Sequence, residues 1–159
     1  MPRPLVFSIL LLLLPGMAAE VAGQADATPP AIVLGTFEDD YGALYEITDT
    51  TWTHGSSRYR IEAWHPDERF LLLTSERDSA GSDPVREWLR IDWVLFDRTG
   101  ETPEGPESWA WGYCMAVWTA TSAAEARGVP TSDRDAPRVG CGDGFPFTRM
   151  QPIERFIEK

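Results

Sequence analysis

The strongest constraint on the fold is an alternation of large and small side chains along residues 109–119. Large apolar residues occupy every second position, at Trp109, Trp111, Tyr113, Met115 and Val117. Between them lie Ala110, Gly112, Cys114 and Ala116. A period of two residues is that of a β-strand, whose side chains point alternately to opposite faces. We therefore predict a strand with one bulky face and one nearly bare face, which another part of the chain can approach closely.

The same period occurs in two earlier segments. Odd positions are apolar in Tyr41–Thr48, and charged residues alternate with apolar ones in Ser57–Trp64. The apolar positions of the two segments are Tyr41, Ala43, Tyr45, Ile47, Tyr59, Ile61 and Ala63. Such two-sided segments are typical of half-buried antiparallel strands.

Two further segments are apolar without clean alternation. Phe70–Thr74 is a short continuous apolar run, which suits a strand buried on both faces. Val85–Phe96 fits both strand alternation and helical spacing, and its aromatic and branched residues favour a strand. Counting these segments, we predict an all-β fold, a small antiparallel barrel or sandwich of about six to eight strands.

One short helix and one disulfide are predicted in the C-terminal half. Ser122 and Glu125 have the spacing of a capping box, in which both side chains bond the first free amides of a helix, and Gly128 ends that helix. Cys114 and Cys141 are the two cysteines of the chain, and in an exported protein an even pair indicates a disulfide. Because Cys114 lies on the bare face, we expect the Cys141 segment to cross there.

The N-terminal residues resemble an export signal. Arg3 is followed by an unbroken apolar run, Leu5–Leu14, and then by Pro, Gly and small residues. The run is shorter than the roughly 20 apolar residues that span a bilayer. We divide the chain into a cleaved signal peptide (1–25), a flexible leader (26–31), a β domain (32–152) and a C-terminal tail (153–159). This division predicts a secreted or periplasmic protein with no stable membrane insertion after cleavage.

The net charge of the chain limits the classes of molecule it is expected to bind. The chain has 14 Lys and Arg against 25 Asp and Glu, a net charge of −11. Nucleic acids and anionic membranes attract basic surfaces, so both are disfavoured as partners. The expected partner is an unidentified protein or a small-molecule ligand.

The segment from Gly35 to Thr48 resembles the first hairpin of calycin barrels, the group that includes avidins and lipocalins. Its Gly35-Thr36-Phe37 opening is similar to the G-T-W of avidin-like proteins. The chain also resembles small exported bacterial proteins of unknown function, through its Tyr113-Cys114 and Gly140-Cys141-Gly142 motifs. The resemblance implies a calycin-like barrel. It does not imply biotin binding, because Asp39 and Ala43 stand where avidin-like proteins place a biotin-contacting Asn and Ser.

Catalytic and metal sites are not expected. His54 is close to Ser56 and Ser57, but the chain has no G-x-S-x-G turn to present a nucleophile, and His65 precedes a proline at a strand end. The acidic clusters do not have the spacing of a calcium-binding loop. Their members are Asp39, Asp40, Asp133, Asp135 and Asp143. Glu104 and Glu107 could pair as acid and base, but nothing in the sequence places them in a cleft. We predict no catalytic residue, no metal and no cofactor, and keep a small hydrolase as a minor alternative.

Inward aromatic residues are the remaining candidate site. The predicted inward faces of four strands carry Tyr45, Tyr59, Trp93, Trp111 and Tyr113. In a small barrel such residues either fill the core or line a ligand cup. The first case predicts a non-catalytic structural or protein-interaction module. The second predicts a calycin-like carrier that binds a small apolar or aromatic molecule, or a sugar.

Overall fold

The computed structural model describes residues 27–77, 85–96 and 109–153. Its strands form one closed antiparallel barrel in which each strand pairs with the next along the chain and the eighth pairs with the first. The strands are β1 (Gly35–Asp39), β2 (Leu44–Ile47), β3 (Thr51–His54), β4 (Ser57–His65), β5 (Phe70–Arg77), β6 (Val85–Leu95), β7 (Trp111–Ala120) and β8 (Thr148–Pro152). The predicted all-β class is confirmed, and the closed barrel, not the sandwich, is the form observed.

Apolar side chains on the inner face of the sheet form the main core. Members buried in this inner cluster include Phe37, Tyr45, Ile47, Trp52, Leu71, Leu73, Leu89, Ile91, Trp93, Trp111 and Met150. Aromatic rings dominate, and many meet edge to face, as Trp52 and Trp111 do with centroids 6.2 Å apart. The segment that was ambiguous from sequence, Val85–Phe96, is the strand β6 over Val85–Leu95.

The chain between β7 and β8, residues 121–147, covers part of the outer face of the barrel, and we call it the outer segment. It begins with α1 (Ala123–Gly128), whose N-cap Ser122 accepts a hydrogen bond from the Glu125 amide. Ala126 of α1 is fully buried against the outward side chains Phe70 and Leu72 of β5. β5 is therefore buried on both faces, as its continuous apolar run predicts.

The disulfide joins the outer segment to β7. Cys114 and Cys141 are bonded, and Phe147 is buried beside Cys114 on the outer face. Gly112 of β7 is also closely packed, because a Cβ at that position would lie 2.9 Å from the Phe96 ring and 3.0 Å from the Thr148 carbonyl oxygen. The predicted bare face of this strand and the predicted crossing of the Cys141 segment are both confirmed.

Bulges change the sidedness of two predicted strands. Ala63 and Val117 were expected to face inward, but both pack in the outer cluster with Phe70 and Leu72. The pairing of β4 with β5 shifts register between Ile61 and Ala63, and that of β7 with β6 shifts at two places near its C-terminal end. An extra residue in a strand turns the side chains that follow it to the opposite face of the sheet. Strict alternation therefore predicted the wrong face for Ala63 and Val117.

Three other assignments of side chains to a face of the sheet, all near strand ends, are wrong. Tyr41 lies in the β1–β2 turn and is 77% exposed. Trp109 precedes β7, and its ring lies 5.3 Å from the Arg149 guanidinium. Ala110, predicted for the bare outer face, is buried in the inner cluster. Alternation applies only within a paired strand, and these residues lie outside one.

Candidate ligand site at the open end of the barrel

The two ends of the barrel differ. At one end a 3₁₀ turn, Ala31–Val33, leads into β1, and Val33 is 1% exposed and packed in the inner cluster. The opposite end, which we call the mouth, carries the β1–β2 and β3–β4 turns and the first residue of β8. A cavity of about 1140 Å³ opens at the mouth. The site is therefore a cup with one filled end and one open end.

The cavity lies between two walls of different origin. One wall is the β3–β4 hairpin, with His54, Ser56 and Ser57, and the other is the loop 141–146 of the outer segment. Tyr59, Leu89, Tyr113 and Met115 line the cavity from the strands. Of these four, Leu89 belongs to the buried inner cluster and the other three pack against it. The cup is thus continuous with the top of the core.

Aromatic side chains are concentrated at the rim. Within the described residues, the three exposed aromatic side chains are Tyr41, Trp118 and Phe145, with 77%, 67% and 66% of their surface accessible. All three line this cavity. Exposed aromatic surface concentrated at one place marks a binding site more often than isolated apolar residues do.

Local backbone features place two of the three rim residues. Trp118 lies where β7 carries one residue more than β6 between the pairs Arg90–Val117 and Trp88–Ala120. Phe145 belongs to a tight loop, closed by hydrogen bonds in both directions between the main chains of Cys141 and Phe145. The loop backbone has positive φ at residues 142, 143 and 144, and glycine at two of these positions relieves the strain.

The disulfide holds the loop wall against the barrel. Cys114 and Cys141 both line the cavity, and Cys114 itself is 2% exposed. The bond therefore joins the wall directly to the strand that also carries Tyr113 and Trp118.

A buried hydrogen-bond chain lies beneath the cup. Asp39 Oδ1 accepts from the amides of Tyr41 and Ala43, at 2.9 and 2.8 Å, which orders the β1–β2 turn. The Tyr45 hydroxyl donates to Asp39 Oδ2 at 2.9 Å and lies 2.9 Å from the Tyr113 hydroxyl. His54 stacks on the Tyr45 ring with centroids 4.4 Å apart.

This chain holds both phenols in their neutral form. Burial raises the pKa of Tyr45 above its usual range, and the hydrogen bond that Tyr45 donates to Asp39 raises it further. Burial also raises the pKa of Tyr113. Because the single Tyr45 proton is donated to the carboxylate, the Tyr113 hydroxyl donates to the Tyr45 oxygen.

The five residues predicted from sequence as a ligand cup occupy three depths. Tyr59 and Tyr113 line the cavity. Tyr45 lies just beneath it and is 3% exposed, whereas Trp93 and Trp111 are buried in the inner cluster at 2% and 1%. Sequence reasoning missed the rim residues Tyr41, Trp118 and Phe145. Two of them lie in turns or loops, and a bulge places the third, so no periodic pattern could indicate them.

The two histidines lie in different parts of the molecule. His54 lines the cavity and pairs with Ser57 through the main chain, but in the described part of the chain its imidazole has no hydrogen bond to a serine or carboxylate side chain. His65 stacks on Phe70, and its Nδ1 lies 3.9 Å from a carboxylate oxygen of Glu68. Burial lowers the pKa of His65. This arrangement supplies no nucleophile and base pair at either position.

The acidic residues considered as oxygen ligands have protein partners or solvent. Asp39 holds the β1–β2 turn, Asp40 pairs with Arg149 at 3.0 Å, and Asp133 accepts from the Asp135 amide at 3.0 Å. Within residues 27–77, 85–96 and 109–153 no three His, Cys, Asp or Glu side chains converge as metal ligands would. Glu104 and Glu107 lie outside the described residues, as does the predicted signal peptide.

Comparison with known proteins adds no family. No family model matches the chain, and no curated protein or solved structure is significantly similar to it. In its described part, the chain contains no helix that is both long and apolar enough to cross a bilayer. Functional inference therefore depends on the site geometry alone.

Proposed function

We propose that this protein is an exported, non-catalytic barrel that binds a small ligand with a flat apolar part in its mouth. The observation that carries the proposal is the convergence of Tyr41, Trp118 and Phe145 on one cavity. Three exposed rings around one opening create apolar surface that a bound molecule would cover. A calycin-like carrier is the class of protein that uses such a cup.

The dimensions of the cup support this function. Small-molecule sites have volumes of about 300–1000 Å³ and combine apolar walls with a few polar groups. The mouth cavity, at about 1140 Å³ and open to solvent, exceeds this range only slightly. Trp52, Trp93 and Trp111 fill the barrel below, so the ligand would lie in the upper part, between the rim and Tyr113.

A protein-interaction module is the second candidate. The packed lower core favours it, because a barrel filled by Trp52, Trp93 and Trp111 has no deep chamber for a carried molecule. The same rim residues would then insert into a partner protein. The two candidates share the mouth and differ in what covers it.

Ligand titration with rim variants distinguishes the two candidates. A panel of small aromatic, aliphatic and sugar ligands is screened by quenching of intrinsic fluorescence, and Trp118→Phe identifies the exposed Trp118 as the reporter. For any ligand that binds, we expect Trp118→Ala and Phe145→Ala to weaken binding by about tenfold, since each removes a ring that the ligand covers. Leu95→Ala is the matched control, because Leu95 is exposed at the opposite end.

The contrary results are equally specific. One contrary result is that no molecule of the panel binds, while the same two rim variants lose binding to a protein partner. This result would favour the protein-interaction module over the carrier. Binding that is insensitive to both rim variants would place the ligand outside the mouth and overturn the proposal.

A further inference from the structure

We infer that the mouth selects a cation, a protonated or quaternary amine carried on a small flat apolar body. This inference rests on the proposed function and specifies its ligand class. Three features of the cup point to positive charge: the direction of its hydrogen-bond chain, the carboxylates in and beneath it, and its aromatic rim.

The hydrogen-bond chain leaves an acceptor at the bottom of the cup. Tyr45 donates to Asp39 Oδ2, and Tyr113 donates to the Tyr45 oxygen at 2.9 Å. Both phenolic protons are therefore directed away from the cavity and toward the buried carboxylate. The Thr148 hydroxyl donates to the Tyr113 oxygen, and the second lone pair of that oxygen can accept a hydrogen bond from a ligand in the cavity. A ligand N–H or an ammonium group satisfies it.

Carboxylates are placed around the same space. Glu87 pairs with Ser75 across β5 and β6 and alternates with the inner residues Leu89 and Ile91, which puts it on the inward side of the strand. Asp143 lines the cavity from the loop wall. The Asp39 carboxylate adds a third negative charge beneath the phenols.

The basic residue that borders the cavity lies on the other side of its strand. Arg58 is exposed, and it alternates with Ser57 and Tyr59 of β4. Tyr59 packs against the inner cluster, so Arg58 projects from the outer face. Among the described residues that line the cavity, the charged side chains other than Arg58 are the carboxylates of Glu87 and Asp143.

The rim supplies the apolar part of such a site. Tyr41, Trp118 and Phe145 surround the opening, and Tyr59 and Tyr113 lie below them. The faces of aromatic rings carry partial negative charge and attract cations, an effect that proteins use to bind quaternary ammonium groups. Rings and carboxylates together favour an amine over a neutral or acidic molecule of the same shape.

Three probes of matched size and different charge test this inference. The full exported chain is titrated by calorimetry with 2-phenylethylammonium, 2-phenylethanol and 3-phenylpropanoate. We expect the ammonium probe to bind about two- to fivefold more tightly than the alcohol, and the carboxylate to bind most weakly. The preference should shrink as salt is raised from about 0.02 M to about 0.5 M, since salt screens exposed charges.

Two carboxamide variants locate the charges responsible. Asp143→Asn and Glu87→Gln should each reduce the ratio of ammonium affinity to alcohol affinity about twofold, because each removes a negative charge from the lining of the cavity. Asn is tolerated at position 143, where φ is +51°, so the loop should remain folded. Asp67→Asn is the matched control, because Asp67 is an exposed carboxylate in the β4–β5 turn at the opposite end.

Failure of this inference is separable from failure of the proposed function. In one contrary result, the alcohol or the carboxylate binds as tightly as the ammonium probe or more tightly, with binding still lost in Trp118→Ala. That result would overturn the selectivity for cations and leave the mouth as a ligand site. Ammonium binding that persists in Trp118→Ala would overturn both. Absence of binding by all three probes would overturn the inference. The ligand panel described above would then decide whether the mouth binds any small molecule.

Discussion

Gly140 is a residue whose smallness holds the outer segment together. A Cβ at this position would lie 1.8 Å from the Asp133 carbonyl oxygen and 2.8 Å from that of Ala136. The Gly140 oxygen also accepts from the Asp133 amide at 2.9 Å. The backbone therefore folds back on itself next to Cys141, and no side chain can be accommodated there.

Gly140→Ala should destabilise the protein by about 2 kcal/mol or more, because backbone has to move to make room for the methyl group. Chemical unfolding measures the change. Gly128→Ala is the control, since Gly128 ends α1 with nothing within 4 Å of its Cβ position. That variant should be neutral or slightly more stable. Equal stability of the two variants would contradict this account of Gly140.

The outer face of β6 binds the outer segment through buried charges. Arg90 and Asp92 are 3% and 0% exposed, and Arg90 Nε lies 2.8 Å from Asp92 Oδ1. Arg90 also donates to the carbonyl oxygens of Arg127 and Val129, and Asp92 accepts from the Ser132 amide. Asp92 therefore satisfies the buried Arg90 cation and the amide of the partly buried Ser132.

Asp92→Asn should cost about 3–5 kcal/mol, because it leaves Arg90 buried without a counter-charge. The comparison is Glu68→Gln at the surface pair with Arg127, where the two side chains are 57% and 50% exposed and the expected loss is about 0–1 kcal/mol. Urea unfolding of both variants at neutral pH measures the difference. Losses of the same size would show that burial does not set the strength of the β6 pair.

The four longest strands were predictable, and their local irregularities were not. β4, β5, β6 and β7 follow the apolar patterns seen in the sequence. Ala63 and Val117 changed sides because each follows a bulge. A bulge is set by the fit between two strands, so a single strand's sequence carries little sign of it.

At the scale of the whole molecule, the disulfide both stabilises the fold and holds one wall of the mouth in place. Cys114 and Cys141 are 27 residues apart and join the barrel to the loop that carries Phe145. In the chain-entropy description, closing a loop of this length stabilises the fold by about 3–4 kcal/mol. The same bond limits how far one wall of the cup can move.

Replacement of both cysteines by serine should lower the melting temperature by roughly ten degrees, since several kcal/mol of stability are removed. Calorimetry at neutral pH measures the shift. At a temperature where the variant remains folded, its affinity for any mouth ligand should also fall, because the loop wall is no longer tethered. Unchanged melting would remove the disulfide as a source of stability, and unchanged affinity would show that the wall is held by other contacts.

Alternation is a relation between neighbouring residues, so the chain alone was sufficient to predict an all-β fold, the bare face at Cys114 and the bonded partner Cys141. It also identified Tyr59 and Tyr113 as inward residues, and both line the cup. The depth of the cup was not predictable, because closure of the barrel determines which rings meet and which remain open to solvent. The rim depends on a bulge at Trp118 and a disulfide-bound loop at Phe145. Both arise from packing between segments that are distant in the chain, and no local pattern encodes such contacts.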